Sequence, residues 1–473
     1  MLKIAPILIL FTIILFTFSC RKDSIETDSS VTLNFSADTV LFDTVFATFG
    51  STTKRLKIYN PTNKTVNISS ISVGNGANSQ FRINVDGVSG NIHNNVLIDG
   101  KDSLFIFAEV TIDPNNLSNP YVVSDKIKFI TNGNSQSVDL VAWGQDAHYY
   151  VANKSVGGIP VVYLDKDNSD LALDSTWIND KPYVIYGGYL TLDGDDKLTI
   201  EKGVQVHMHN NAGIWVYENG NIRVNGEKDE EVVFQGTRLE YAWQDVPGQW
   251  DRIWINEGTN DNVFNYAIIK NGFIGIQVET NPFNAPTLSV NTLRLNNCEI
   301  HNNSALGILA TNYKITDTNS VITNSGQYNL LLKGGGDYRF NHTTIANYWA
   351  GTERKTPAVL LQNTTNVPET AMFYNCIIDG DKEIEFSSEE FAGATINFLL
   401  DHCILKTTNS ISGADYINTS LSSGGLFVDE TLHDYHLTST SIAIDKGVDI
   451  NVSTDKDGLN RDASPDAGAY EYQ

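Results

Sequence analysis

From Phe264 to Thr407 an eight-residue pattern recurs six times. It reads apolar, two variable residues, a small residue, one variable residue, Ile or Leu, one variable residue, and usually Asn. The small position holds Ala267, Cys298, Ser320, Thr343, Cys376 and Cys403. Three residues earlier stand Phe264, Leu295, Asp317, Phe340, Phe373 and Leu400; two residues later stand Ile269, Ile300, Ile322, Ile345, Ile378 and Leu405. Four residues later stand Asn271, Asn302, Asn324, Asn347, Gly380 and Thr407. A fixed pattern at spacings of 31, 22, 23, 33 and 27 residues marks stacked supersecondary units, because no single unit can bury its apolar face alone. The intervening sequence offers short alternating segments broken by Gly or Asn, and no amphipathic stretch of three helical turns between 186 and 430. The repeated unit is therefore a coil of short strands, and the expected fold is an all-β right-handed parallel β-helix. The small and aliphatic columns belong inside. The Asn column belongs at a corner, where Asn accepts left-handed backbone angles. Asp317 interrupts the apolar column, so either that coil is offset or its side chain turns outward. The longer units carry inserts, at Pro282 to Pro286 and from Gly351 to Pro368.

Leu198-Thr-Ile-Glu-Lys-Gly-Val-Gln-Val206 and Gly248-Gln-Trp-Asp-Arg-Ile-Trp-Ile255 resemble the opening coil and the Trp-containing coil of the β-helix family that includes pectate lyases. Arg252 stands where that family usually has Gly. The resemblance covers roughly 186–430. At the C-terminus, Ser441-Ile-Ala-Ile-Asp-Lys-Gly447, Asp455-Lys-Asp-Gly-Leu-Asn-Arg461 and Pro465-Asp-Ala-Gly-Ala-Tyr-Glu471 resemble the closing segment of surface β-helix proteins, a choice-of-anchor type of domain. A solenoid needs a cover over its last apolar coil, and residues 431–473 read as that cap, with Ile442, Ile444, Ala467 and Tyr470 supplying it.

Ahead of the solenoid, residues 31–147 alternate in short runs such as Leu56, Ile58 and Val66, Ile68, separated by Asn60-Pro61, Asn75-Gly76 and Asn132-Gly133. Such spacing reads as a β-sandwich. The stretch Thr53 to Asn60, followed by Val66 to Val73 and Phe81-Arg-Ile, resembles immunoglobulin-like modules of bacterial surface proteins and of the cilium- and spindle-associated family. Residues 148–185 read as a connecting segment.

Residues 1–19 are expected to be removed. Lys3 precedes an apolar stretch from Ile4 to Phe18, too short for a bilayer-spanning helix of ~20 residues. Thr17-Phe18-Ser19-Cys20 resembles a relaxed lipobox of the Bacteroidota type, although Thr17 replaces the usual Leu. Cys20 is thus the expected lipidation site and 20–30 a polar tether. More than one acyl chain would give a stable anchor, placing the protein at the bacterial outer membrane, on its surface or its periplasmic side.

The chain has 32 basic and 56 acidic residues, a formal net charge of −24. It has no basic run interleaved with aromatics, which argues against nucleic acid as a partner, since phosphate neutralisation dominates such binding. Cys298, Cys376 and Cys403 share one repeat column and are expected to pack as small buried hydrophobes. A monomer is expected.

Catalytic signatures are sparse. A lyase of this fold needs a base beside acidic metal ligands; Lys270, Arg294, His301 and Lys333, with Glu279, Glu299 and Asp337, are the candidates. Glu299 and His301 flank Ile300 and share an outward face, which reads as a solvated pair. Asp195-Asp196 sits in a turn, and the ordered signature that the polygalacturonase resemblance would require is absent. His207 and His209 form half a metal site and read as solvated. Asp455-Lys-Asp-Gly458 admits either structural calcium or a plain turn; no other cofactor is expected. Aromatic residues concentrate between 215 and 254, and outward rings can stack on sugar. The candidate ligand-binding residues are Trp215, Tyr217, Trp243, Trp250 and Trp254, with no catalytic residue and no metal ligand assigned. The favoured reading is a lipid-anchored, non-catalytic surface protein that binds polysaccharide or another surface ligand. The alternative is a carbohydrate-active enzyme, a polysaccharide lyase or glycoside hydrolase, on an acidic glycan.

Overall fold

The computed structural model describes residues 24–472 apart from 116–119, 166–171, 259, 281–282, 284–286 and 392. The leader, Cys20 and most of the Pro282 to Pro286 insert lie outside the described residues. The chain is all-β and divides after Asp146 into two units, a β-sandwich and a parallel β-helix.

The sandwich has a six-stranded and a five-stranded sheet. Alternation places one face of each inside. Leu56 and Ile58 of Lys54–Tyr59 and Ile106 and Ala108 of Ser103–Val110 meet Ile68 and Ile71 of Thr65–Val73 and Phe129 of Tyr121–Thr131, all buried. The turn read at Asn132-Gly133 joins two long antiparallel strands, Tyr121–Thr131 and Asn134–Gln145, and both turn residues have positive φ. The six-stranded sheet begins inside the segment read as tether. Ile25 and Glu26 pair in parallel with Thr65 and Val66, and Glu26 lies 3.3 Å from Lys64 Nζ.

Each coil of the β-helix contributes one strand to each of three sheets. We call them the repeat sheet (from His148–Val151 to Ser420–Leu421), the second sheet (from Lys154–Val156 to Phe386–Glu390) and the third sheet (from Asp174–Trp177 to Tyr416–Ile417), with eleven, ten and ten strands. The segment 148–185 therefore already supplies the first strands of all three. The eight-residue pattern is the corner between third and repeat sheets, and its columns are the strand register. Phe264, Leu295, Asp317, Phe340, Phe373 and Leu400 are successive partners in the third sheet. Ile269, Ile300, Ile322, Ile345, Ile378 and Leu405 are successive partners in the repeat sheet. The small column is wholly buried and its three cysteines are free thiols; burial pushes Cys298 up to about 12. Asp317 is neither offset nor turned outward: it stays in register and is fully buried among apolar neighbours. The stretch read as one insert from Gly351 to Pro368 contains a regular strand of the second sheet, Val359–Asn363.

Two corners use left-handed backbone. Asn271, Asn302 and Asn324 have φ of 65°, 56° and 50°. The residue before each small position does the same: Tyr266, Asn297, Asn319, His342, Asn375 and His402 have φ between 43° and 57°. Asn and His are enriched there because their short polar groups bond locally. Asn375 Nδ2 lies 2.8 Å from His342 Nε2 and Asn418 Nδ2 3.0 Å from His402 Nε2, so the corner is also a side-chain ladder.

The C-terminal segment, read from sequence as a cover over the last coil, runs as a strap along a flank of the repeat sheet. Outward residues of the repeat sheet, Val321, Ala346, Ile377 and Ile404, are apolar and buried beneath Phe427, Tyr435, Leu437, Ala467 and Tyr470. Polar bonds follow the corner column. Asn375 Nδ2 donates to Val448 O (2.7 Å), Asn319 Nδ2 to Thr454 O (2.8 Å) and Arg461 Nη2 to Asn319 Oδ1 (3.1 Å).

Candidate functional site

The outer face of the second sheet carries the most varied surface chemistry of the solenoid. Trp215 and Trp254 are register partners and stack at 4.8 Å with their planes 9° apart. Tyr217 packs at 4.7 Å from Trp215, and Tyr189 and Phe283 approach it edge-on at 6.3 and 6.2 Å. Tyr189 can lie over this sheet because its register partner is Gly213, where a Cβ would stand 2.8 Å from the Tyr189 ring and 2.4 Å from Arg252 O.

A continuous polar run borders these rings. Tyr189 Oη donates to Asp251, and Arg252 Nη2 reaches Asp251 Oδ1 at 2.9 Å. Arg252 also donates to Gln277, Gln277 Nε2 donates to Glu279 Oε1 (2.8 Å), and Trp254 Nε1 donates to the same oxygen (2.7 Å). Phe273, 47% exposed, sits 5.8 Å from the Arg252 guanidinium. Burial and the neighbouring Asp251 push Tyr189 well above the usual phenol range, so it stays a donor. Beyond Gln277 the same column continues as Leu309, Leu331 and Leu360. At ~4.8 Å per coil, Trp254 to Leu360 spans roughly 19 Å.

Of the five aromatic residues singled out from sequence, this face brings together Trp215, Tyr217 and Trp254. Trp215 does point outward, yet its neighbours bury it completely, and its Nε1 donates to Asn256 (2.7 Å). Its role is to carry Trp254 rather than to touch a ligand. Trp250 is also corrected. It is buried in the solenoid core, with Nε1 donating to Lys270 O. Trp243 stands apart in a 3-10 turn, 36% exposed, under Arg238 at 3.7 Å. Sequence reading missed Tyr189, Asp251, Arg252, Phe273 and Gln277 as members of a site. The coil spacing was the available signal, since Trp254 and Gln277 are one coil apart.

The acid–base candidates do not converge. Lys270, Glu299 and His301 lie on the repeat sheet, Glu279 and Lys333 on the second, Arg294 and Asp337 on the third. Glu299 and His301 are not a solvated pair, because the strap covers them. Lys456 Nζ donates to Glu299 Oε1 at 2.5 Å, and the His433 ring packs on His301 at 4.8 Å. His207 is likewise buried, with Nδ1 3.0 Å from Gly236 O, and His209 stacks on Tyr186 at 4.7 Å. Asp196 accepts the Leu173 N–H, as a turn carboxylate does. Asp455 is buried and spends its oxygens on the N–H groups of Leu459 and Glu471, which is the turn reading. Among the described residues no group of three His, Cys, Asp or Glu is placed to hold a metal.

Burial beneath the strap, then the nearby His433, pushes His301 down to about 3, and burial pushes His342 down to about 3. The unfolded chain then takes up these protons first, near the ordinary imidazole value of ~6.5. Stability therefore falls as pH drops below that value. For His301 the loss at pH 5 relative to pH 7 is about 2 kcal/mol. His301→Gln should unfold with a flatter pH dependence between 7 and 5 than the parent. An equal loss of unfolding free energy between pH 7 and 5 in parent and variant, measured by urea titration, would contradict this.

No family model matches the chain, and no curated protein matches it. Among solved structures, the ASH/PapD-like domain of human CEP192 (PapD-like domain 7) is similar at 11% identity and a TM-score of 0.17, over 24% of this chain and 87% of that chain. The catalytic domain of a GH87 alpha-1,3-glucanase in complex with nigerose is similar at 10% identity and a TM-score of 0.19, over 78% of this chain and 87% of that one. At these scores neither likeness assigns an activity to the chain.

Proposed function

We propose that this protein is a lipid-anchored surface protein, held through Cys20, whose solenoid binds polysaccharide along the outer face of the second sheet without cleaving it. The observation that carries the reading is the stack of Trp254 on Trp215 with Tyr217 beside it, bordered by Asp251, Arg252, Gln277 and Glu279, with exposed Phe273 next to Arg252. Flat apolar rings suit the C–H faces of sugars, and a fixed row of donors and acceptors suits their hydroxyls. Of the carboxylates that the sequence offered for acid–base work, Glu299 is engaged by Lys456 and Glu279 by Trp254 and Gln277.

The soluble chain from Arg21 onward should bind at least one member of a polysaccharide panel. Trp254→Ala combined with Phe273→Ala should weaken that binding at least tenfold while the far-ultraviolet circular dichroism stays that of the folded parent. An increase in absorbance near 235 nm on uronate polymers, from unsaturated products, would instead establish the lyase alternative. A panel with no bound glycan would remove the carbohydrate reading.

A further inference from the structure

We propose that the outer face of the five-stranded sheet of the sandwich is a second, independent surface that binds acidic polysaccharide; this rests on the reading that the protein is a glycan binder. Because Leu56, Ile58, Ile83, Ile106 and Ala108 point into the core, the alternate residues Arg55, Lys57, Tyr59, Arg82, Phe105 and Phe107 face outward. Their register interleaves cations with rings: Arg55 lies opposite Phe107, and Lys57 opposite Phe105. The Arg55 guanidinium is 5.1 Å from the Phe105 centroid, and Lys57 Nζ is 5.2 Å from the same ring and 5.1 Å from Tyr59.

The charge of this face is opposite to that of the whole. The chain carries −24, and Arg238, Arg252, Arg294, Arg354 and Arg461 all sit against carboxylates. Among the described residues Arg55, Lys57 and Arg82 have no carboxylate partner within 4 Å. Glu109, the cross-strand partner of Arg82, accepts a hydrogen bond from Thr53 (2.7 Å), while Arg82 donates to Thr111 (2.6 Å). Three cations held together against the field of an acidic chain, none of them in an ion pair within 4 Å among the described residues, are complementary to a polyanion.

Shape narrows the class. A shallow groove of about 670 Å³ opens beside the face, lined by Arg82, Asn84, Ser89, Phe107 and Glu109. That is room for a small ring with its substituents. Phe107 offers an apolar wall, Asn84 and Ser89 offer hydroxyl partners, and Arg82 offers a fork for a carboxylate. Phe105 and Phe107 are only 36% and 39% exposed. Their ring centroids stand 6.4 Å apart, a row that suits a chain laid across them.

The test measures binding of polygalacturonate and of neutral dextran to the soluble chain from Arg21, to Arg55→Ser/Lys57→Ser/Arg82→Ser, and to Trp254→Ala/Phe273→Ala. The parent should bind polygalacturonate in preference to dextran, with affinity falling as salt rises. The triple variant should lose at least tenfold for polygalacturonate at unchanged melting temperature. Binding unaltered in the triple variant overturns the proposal, as does equal affinity for dextran, or capture by phosphatidylglycerol vesicles without capture by polygalacturonate. The second-sheet double variant separates the two surfaces. If it alone loses polygalacturonate, the sandwich proposal fails while the solenoid reading stands; if only the triple variant does, the solenoid reading is the one that fails for this polymer.

Discussion

Replacing Arg354 by Ala should lower stability by about 3–5 kcal/mol, the usual cost of leaving one member of a buried ion pair alone. Arg354 and Glu385 both have fully buried side chains. The guanidinium grips the carboxylate at both ends, Nη1 to Oε2 at 2.7 Å and Nη2 to Oε1 at 2.5 Å. It also donates to Thr356 O (2.6 Å), Asn347 O (2.8 Å) and Asp381. Glu385 in turn accepts the N–H groups of Ala358 (2.7 Å) and Lys382 (2.8 Å). Burial pushes Glu385 up while Arg354 pulls it down; the bidentate geometry argues for the ionised pair. Together the two side chains tie the loop between Thr344–Asn347 and Val359–Asn363 to the following coil. Glu385→Ala should cost a similar amount, because it strands a buried guanidinium and two N–H groups. A double Arg354→Met/Glu385→Leu variant, which keeps the site filled, should be no worse than either single one, since a well-filled apolar site can replace a buried pair at little cost. In a stack of coils each unit contacts only its neighbours. Hydrogen exchange should therefore rise chiefly across residues 344–390, and a uniform rise over the whole solenoid would refute this assignment.

Arg354 also shows where sequence reading stopped. The repeat was legible because inward positions must match in every coil, and the one-to-one register of the Ile269 and Phe264 columns is that requirement made visible. The second left-handed column was not, because Tyr266, three Asn and two His in a row of coils share a backbone need and not a letter. The strap was half legible. Apolar residues were noted in 431–473, but their partners are the outward Val321, Ala346, Ile377 and Ile404, scattered at coil intervals. The same limit applies to the binding face. Alternation places Trp215 outward correctly, while its burial depends on Trp254, Tyr189 and Phe283, each from a different turn of the chain. Arg354 and Glu385, 31 residues apart, carry no local motif at all.

Asp317→Asn should raise stability by up to about 4 kcal/mol at pH 8 and by little at pH 4. Asp317 stands between Leu295 and Phe340 in the third sheet and is fully buried. Thr343 Oγ1 donates to its Oδ2 at 2.5 Å, and among the described residues its Oδ1 has no hydrogen-bond partner. Burial outweighs these bonds and pushes the carboxyl up to about 7. The unfolded carboxyl releases its proton near ~3.9. Stability is therefore greatest at acid pH on this account, declines as pH rises from there toward 7, and is flat above it, the full span being about 4 kcal/mol. Asparagine keeps an acceptor for Thr343 and cannot ionise. Glu369 repeats the case more severely. It is fully buried, neither carboxyl oxygen has a hydrogen-bond partner among the described residues, and burial pushes it up to about 8. Glu369→Leu, close in volume, should also stabilise at pH 8 more than at pH 4. The measurement is urea unfolding of parent and variants across pH 4 to 9. A gain independent of pH would mean that the carboxyl does not titrate between those limits and that packing alone sets its effect. The buried His301 and His342 act in the opposite sense, losing stability toward acid, so the parent should be most stable where the two slopes cross. Removing Asp317 or Glu369 should move that maximum to higher pH, and His301→Gln should move it lower.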